Sequence, residues 1–479
     1  MKKLYLDSAW HLSSSLLPFL AGVIFIPLIL SVYGKSSFTF ISIAWTVIVF
    51  FVLFDGGIGR ALTFYLSHDR KAEDDHAKDQ GLIWTALVTA ASLGFAIIIV
   101  LMTLDKLIFK LLNLNDPAFA GAVIYLVTSL LFVTLSTLQK GILEAKQKFK
   151  ASSVMRSIDG LSLFVFPYLF SLIEPSLGLA YMSLLTSRIL VFVLYMLILA
   201  RYRLIDFELI AVRKDALTKI LSFGGWVSVS SFIQPAINLI ERFIALRWIS
   251  SAAYAFYLAP FEIISRFSSI ATSISVVLFP SLIRTKIANQ RRQLIDVGSA
   301  FIILLVMPAA FILSTFAPQV LGLWLGSEFA FTAHKLALVI ASGIVIASLA
   351  YLPFIITQSR GRADLTAKLH LIEVIPVLTA TWLLAKHHGL IGLAYAWLFR
   401  VGLDFILQTL CAIHCDRDLA PTITKHALLG LVSFALLTAL GQFDHDWVRL
   451  LTISSLAAVY LNYLIVVYTQ YKHNVIDFD

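Results

Sequence analysis

Charge is scarce in this chain. Aspartate, glutamate, lysine and arginine make up 14% of its 479 residues, and 59% are apolar. A soluble domain carries about 25% charged residues. Surface area grows too fast with size for so large an apolar excess to be core. A soluble enzyme, a nucleic-acid-binding domain and a disordered scaffold are thereby excluded. Cysteine is scarcer still. Cys411 and Cys415 are the only two, too few for a disulfide framework or a four-ligand metal site. There is no Gly-rich phosphate loop, no HExxH and no GxSxG elbow, so nucleotide-driven pumping would need a separate subunit. Long polar stretches are missing as well. The longest loops are on the order of 20 residues, which leaves no room for an inserted soluble domain. The solvent of most of this chain is lipid.

A membrane-spanning helix needs about 20 predominantly apolar residues. Fourteen such stretches begin near Leu12, Phe38, Gly81, Pro117, Ser152, Ser176, Leu221, Ser251, Leu294, His334, Ala367, Leu390, His426 and Trp447. The thirteenth, ending at Leu440, is the shortest and leaves a count of twelve open. No small-residue cleavage site follows the first stretch, so it reads as a retained span. With the N-terminus inside, the inner loops hold 24 lysines and arginines and the outer loops 7. The positive-inside rule then places both termini in the cytoplasm. The net charge of +9 is explained by those loops and implies no nucleic-acid partner.

The chain repeats itself once. A span with Pro18 leads to "FTFISIAWTV" from Phe38, and a span with Pro235 leads to "YAFYLAPFEI" from Tyr254. Both copies begin inside, so the repeat is parallel. The expected fold is an all-α polytopic membrane protein made of two six-helix bundles related by a pseudo-twofold axis, plus a C-terminal helix pair. The divisions are 1–210, 211–415 and 416–479, with the basic loop Arg201–Lys219 as linker. Parallel halves leave a cavity at the axis, suited to alternating access.

Polar residues form stripes within the spans. The seventh span carries Ser231, Gln234, Asn238, Glu241 and Arg242, and the eighth carries Glu262, Ser265, Arg266, Ser269, Thr272 and Ser273. Steps of three and four put each set on one helical face. The fifth span has Arg156 and Asp159, the sixth Arg188, the eleventh His370 and Glu373, the twelfth Arg400, Asp404 and Gln408. A charge at the bilayer centre costs about 2.5–3.5 kcal/mol and persists when it faces water or a partner. The plain alternative is pairing within a helix: Glu262 with Arg266, Arg400 with Asp404, Arg156 with Asp159. Arg188 has no partner in its own span. Five intramembrane arginines oppose five acids, so no net cationic cavity follows. The Cys411/His414/Cys415 group lacks a fourth ligand and implies no metal.

Two segments carry a family resemblance. "LFDGGIGRAL" (Leu53–Leu62) and "LFPSL" (Leu278–Leu282) resemble segments of the Wzx-type polysaccharide and O-antigen flippases of the MOP superfamily, whose architecture the whole chain is similar to. The resemblance implies a MOP-type fold and no enzymatic activity. It implies translocation of an undecaprenyl-pyrophosphate-linked oligosaccharide from the inner to the outer leaflet of the bacterial inner membrane. Arg188 and Arg266 become the first candidates for the pyrophosphate, with Arg60 at the cytoplasmic entrance and Arg156, Arg400, Gln234 and Asn238 along the substrate path. Glu262, Glu373, Asp404 and Asp159 are candidates for coupling to a proton or sodium gradient, with no other cofactor. Implied partners are the lipid-linked glycan, membrane lipids and polysaccharide assembly proteins. The competing readings are a MATE-like cation-coupled drug or metabolite exporter, which would carry a compact acidic site, and a polysaccharide polymerase or ligase, which would need a sizeable outer loop.

Overall fold

A computed structural model describes residues 2–53, 58–59, 62, 65–66, 75–103, 117–146, 148–285, 287–442 and 446–472. Among them no strand occurs. The helices are α1 (Lys2–Leu53), α2 (Asp75–Thr103), α3 (Pro117–Ala145), α4 (Phe149–Ser171), α5 (Leu177–Arg201), α6 (Lys214–Trp248), α7 (Ser251–Ile264) and α8 (Ser268–Arg284). Then follow α9 (Ala288–Leu325), α10 (Ser327–Leu349), α11 (Tyr351–Ser359), α12 (Ala363–Cys415), α13 (Ala420–Gln442) and α14 (Asp446–Lys472). Eight helical stretches among the described residues are long and apolar enough, by length and composition, to cross a membrane. Each of the fourteen expected spans falls on a helix. The two after His414 fall on α13 and α14, of which α13 is among the eight candidate stretches and α14 contributes a shorter apolar segment, Leu451–Ile465.

Two helices hold two spans each. A straight helix of 53 residues would measure about 80 Å, far beyond the roughly 30 Å hydrocarbon layer. In α12 the chain turns at Gly389, φ 59° and ψ −132°, and in α1 at Gly34, φ 74° and ψ 169°. Both backbone states are open to glycine and strained for other residues. Gly389→Ala is therefore expected to destabilise the protein by about 1–3 kcal/mol, read as a lowered melting temperature in detergent. An unchanged melting temperature would show that the fold at this point tolerates a side chain.

By contacts the chain divides into two units, Met1–Ala252 and Ala253–Asp479. The expected boundary near 210 follows the repeat, whereas the division by packing lies one helix later. The reason is that α6 packs on α1 and α2. Arg242 on α6 donates to the Ser42 carbonyl on α1 at 3.1 Å and to its hydroxyl at 2.8 Å. In the first unit α3 packs on α5, and α4 on α1 and α5. Long tethers reinforce this core: the Tyr33 hydroxyl donates to Pro167 O, Trp45 Nε1 to Leu163 O and the Tyr181 hydroxyl to Phe40 O.

In the second unit α10 is the buried centre, lying against α9, α12 and α13. The last two helices are held by a polar chain. His426 on α13 meets Asp296 on α9 at 2.7 Å and the Tyr463 hydroxyl on α14 at 3.2 Å. At one end of this unit the buried Asp416 accepts from Arg291 Nη1 at 2.5 Å and from Arg360 Nε at 2.8 Å. It thus ties the start of α9 to the ends of α11 and α12. These arginines counted in the sequence as topology signals, and they are also fasteners.

Candidate functional site

Among the described residues, two charged clusters within the spans contain sequence-predicted site residues, one in each unit. In the first, α4 supplies Asp159 and Ser162, and α5 supplies Ser187 and Arg188. Arg188 is 3% exposed. Its Nη1 pairs with the Asp159 carboxylate. Its Nη2 donates to Asp159 O at 3.0 Å and Ser162 Oγ at 2.6 Å, and Nε to Ser187 Oγ at 3.3 Å. A guanidinium has five N–H donors, and most of them are engaged here. Arg156, one turn before Asp159, turns the other way. Its Nη2 lies 3.3 Å from Glu144 Oε1 on α3, which also accepts from Ser152 Oγ at 3.0 Å.

The plain alternative, Arg156 paired with Asp159 inside one helix, is not the pairing seen. Both arginines pair between helices. Arg188, partnerless within its own span, takes its partner from the neighbouring helix. Arg188, nearly fully buried, needs several acceptors at once and takes the Asp159 carboxylate and carbonyl with two hydroxyls, while the part-exposed Arg156 meets Glu144. Asp159 and Glu144 keep an open side, each 31% exposed at the side chain, and Arg156 is 26% exposed.

The second cluster is built by the fold at Gly389. His370 and Glu373 lie on the first half of α12, Asp404 and Gln408 on the second. His370 Nδ1 is 3.5 Å from Glu373 Oε2 and 3.8 Å from Asp404 Oδ1. One ligand-type atom from each of the three residues falls within 4.8 Å of the others. Gln408 Nε2 donates to Asp404 Oδ1 at 3.2 Å, and Glu373 is fully buried. The His370 ring rests near Phe354 of α11, centroids 6.3 Å apart. Two carboxylates and an imidazole at this spacing can hold a proton or a small cation. The structure thus brings together Glu373 and Asp404, which the sequence placed on separate spans. His370 was not among the coupling candidates. Its step of three to Glu373 was the available signal.

The two clusters fall at related positions of the repeat read from the sequence. The offset that carries Phe38 to Tyr254 carries Arg188 to Asp404 and Ser157 to Glu373. An arginine-centred pair in one half answers to an acid-rich group in the other.

The remaining candidates are distributed as follows. Arg266 lies in a short 3₁₀ turn, Ser265–Phe267, between α7 and α8, and is half-buried, as is Glu262 one turn earlier. A tightened turn inside a long helix commonly marks a functional bend. Arg400 sits one turn before Asp404 and is half-buried. On α6, Gln234 is half-buried and Asn238 exposed. So Arg156, Asp159, Arg188, Gln234 and Asn238 belong to the first unit, and Glu262, Arg266, Glu373, Arg400 and Asp404 to the second. Arg60 lies outside the described residues.

A family model described as polysaccharide biosynthesis protein matches residues 5–286. The chain is 24% identical over 403 residues to a protein of Shigella flexneri described as "Putative O-antigen transporter", covering 84% of this chain and 96% of that one. Among solved structures it is similar to the lipid II flippase MurJ in an inward closed conformation, with a TM-score of 0.69 at 15% identity over 97% of this chain and 99% of that chain. An inward-facing multidrug resistance MATE family transporter of the MOP superfamily gives a TM-score of 0.66 at 13% identity over 87% of this chain and 99% of that chain. At such identities the structural likeness establishes the fold, that of MOP transporters.

Proposed function

The chain belongs to the polysaccharide biosynthesis protein family, and from that premise we propose that it is a flippase for undecaprenyl-pyrophosphate-linked oligosaccharide. The cargo moves from the inner to the outer leaflet of a bacterial inner membrane by alternating access. The observation that carries this reading is the set of part-exposed charges inside the spans. Arg156 and Asp159 are a quarter to a third exposed at the side chain, and Arg156 reaches Glu144 at the end of α3. Paired charges that keep an open side within a span are placed to meet water or cargo.

Arg156 in the first unit and Arg266 in the second each offer a phosphate contact along the path. Arginine grips phosphate oxygens two at a time and keeps its proton. A close pair at an effective dielectric of 20 is worth about 4 kcal/mol, enough to offset partial dehydration of the headgroup. Glu144 and Glu262 neutralise these arginines between cargoes. Arg188, held by Asp159, positions α4 against α5. Gln234 and Asn238 offer hydrogen bonds to sugar hydroxyls, and Arg60 meets the headgroup on entry. An anionic headgroup moving outward runs downhill in a potential negative inside, by about 2.3 kcal/mol per charge per 100 mV. The protein mainly lowers a barrier. The cluster of His370, Glu373 and Asp404 resets it: a proton or sodium ion bound there changes the charge between the two halves of α12.

Deletion of the chain tests the reading. Loss of surface polysaccharide, with sugar-loaded undecaprenyl pyrophosphate trapped in the inner leaflet, is expected. Arg266→Ala is expected to reproduce that loss with normal insertion, and intact surface polysaccharide in this variant would remove Arg266 from the path. A second reading, a cation-coupled exporter of drugs or metabolites, is favoured by the compact acid cluster alone. Unchanged polysaccharide with altered drug sensitivity would establish it instead.

A further inference from the structure

The linker after α5 does not leave the protein for bulk water. It is pinned along α2. A C-terminal turn reverses the chain at Arg203, which sits at φ 52°, with Leu204 N bonded to Leu199 O and Arg203 N to Ala200 O, both at 2.9 Å. This is the hydrogen-bond pattern of a helix stop that usually uses glycine. Buried Gln80 then clamps the chain, its Nε2 donating to Leu204 O at 3.2 Å and its Oε1 accepting from Asp206 N at 2.9 Å. Trp84 Nε1 donates to Asp206 O at 2.9 Å, and Thr85 Oγ1 accepts from Arg213 N at 2.9 Å.

What the clamp displays is apolar. Phe207, Ile210 and Val212 are 54%, 58% and 59% exposed, and Leu209 and Tyr202 are exposed too. Phe207 meets Trp84 edge to face at 5.8 Å. At the two ends stand Arg201, Arg203 and Lys214, all exposed, with no acidic partner among the described residues. Lys148 lies over the Tyr202 ring at 4.9 Å. Of the acids nearby, Asp215 is paired with Arg213 at 3.1 Å, Asp206 Oδ1 accepts from Glu208 N at 2.9 Å, and Glu208 is exposed in the middle of the strap, away from the basic residues at its two ends. The Arg213 hydrogen bond holds the Asp215 carboxyl below its ordinary range.

An irregular backbone cannot lie in the hydrocarbon core, and five exposed apolar side chains do not belong in water. The level between the two is the headgroup boundary, where aromatic and basic residues collect. We propose that residues 202–214 form an interfacial strap that binds anionic phospholipid of the leaflet at which α5 ends. The apolar side chains enter the acyl boundary, and Arg201, Arg203 and Lys214 hold lipid phosphates. This site is separate from the proposed cargo path and does not depend on it.

The test places an environment-sensitive fluorophore at Ile210→Cys in a Cys411→Ser/Cys415→Ser background. The full chain is reconstituted in phosphatidylcholine vesicles, alone or mixed with phosphatidylglycerol. Nitroxide-labelled lipids of each headgroup are the quenchers, and a label at exposed Leu197 of α5 is the lipid-facing reference. The strap label is expected to be quenched by lipid and several-fold more strongly by the phosphatidylglycerol probe. The reference shows no headgroup preference. Arg201→Gln and Arg203→Gly, the second of which keeps the turn, each lower the preference by about fivefold. Quenching by aqueous iodide but not by lipid would overturn the proposal. So would lipid quenching without headgroup preference, or protection seen only in native membranes, which would assign the strap to a protein partner.

Discussion

Asp159→Ala is expected to destabilise the protein by about 3–5 kcal/mol, because it strands a buried guanidinium. Arg188 is 3% exposed, and its Nη1 has the Asp159 carboxylate as its charged partner. Removing that carboxylate leaves a positive charge in the packed layer between α4 and α5. The paired replacement Arg188→Met/Asp159→Leu is expected to recover most of the loss, since apolar groups of similar volume commonly match or exceed a buried ion pair in stability. Thermal unfolding in detergent gives both numbers. The double variant also decides the role of Arg188. Restored stability with surface polysaccharide intact makes Arg188 a positioning residue. Restored stability with polysaccharide lost would return it to the pyrophosphate site and overturn the assignment made above.

The second large effect concerns α12. Glu373→Gln/Asp404→Asn is expected to abolish export while leaving the chain folded, because amides keep the shape and remove both charges. The diagnostic readout is a cation titration of stability. A ligand at a hundred times its dissociation constant stabilises by about 2.7 kcal/mol. Sodium is expected to raise the melting temperature of the unsubstituted protein and to leave the double variant unmoved. Equal sodium responses in both proteins would place the cation elsewhere. Normal export by the double variant would remove the cluster from the transport cycle.

The spans and their order were legible from composition and periodicity, because lipid imposes a length and an apolarity on every crossing segment. Individual charges inside those spans were legible for the same reason: they stand out against the apolar background. Their partners were not. Steps of three and four report only neighbours on the same helix, and by that rule Arg156 belongs with Asp159. The partner of Arg188 is 29 residues away on α4, and that of Arg242 is Ser42, 200 residues away. Asp416 illustrates the limit well. Its sequence neighbourhood offers Arg417, yet it is gripped by Arg291 and Arg360, which only packing brings together. The acid cluster lies between these cases. Glu373 and Asp404 were singled out one by one. That they meet follows from Gly389, a residue whose backbone state the sequence does not announce.

The exchange of Arg188 for Asp404 at one place in the repeat bears on how such a chain could arise. A gene duplicated and fused begins with two identical halves, and identical halves offer one kind of charge twice over. A protein in that state can recognise an anion or a cation, but it has no division of labour between them. Opposite signs at the two positions end that redundancy: one half carries an arginine, the other an acid, and each can specialise without spoiling its twin. Ancestral reconstructions with arginine, or aspartate, restored at both positions would retrace that step in the laboratory.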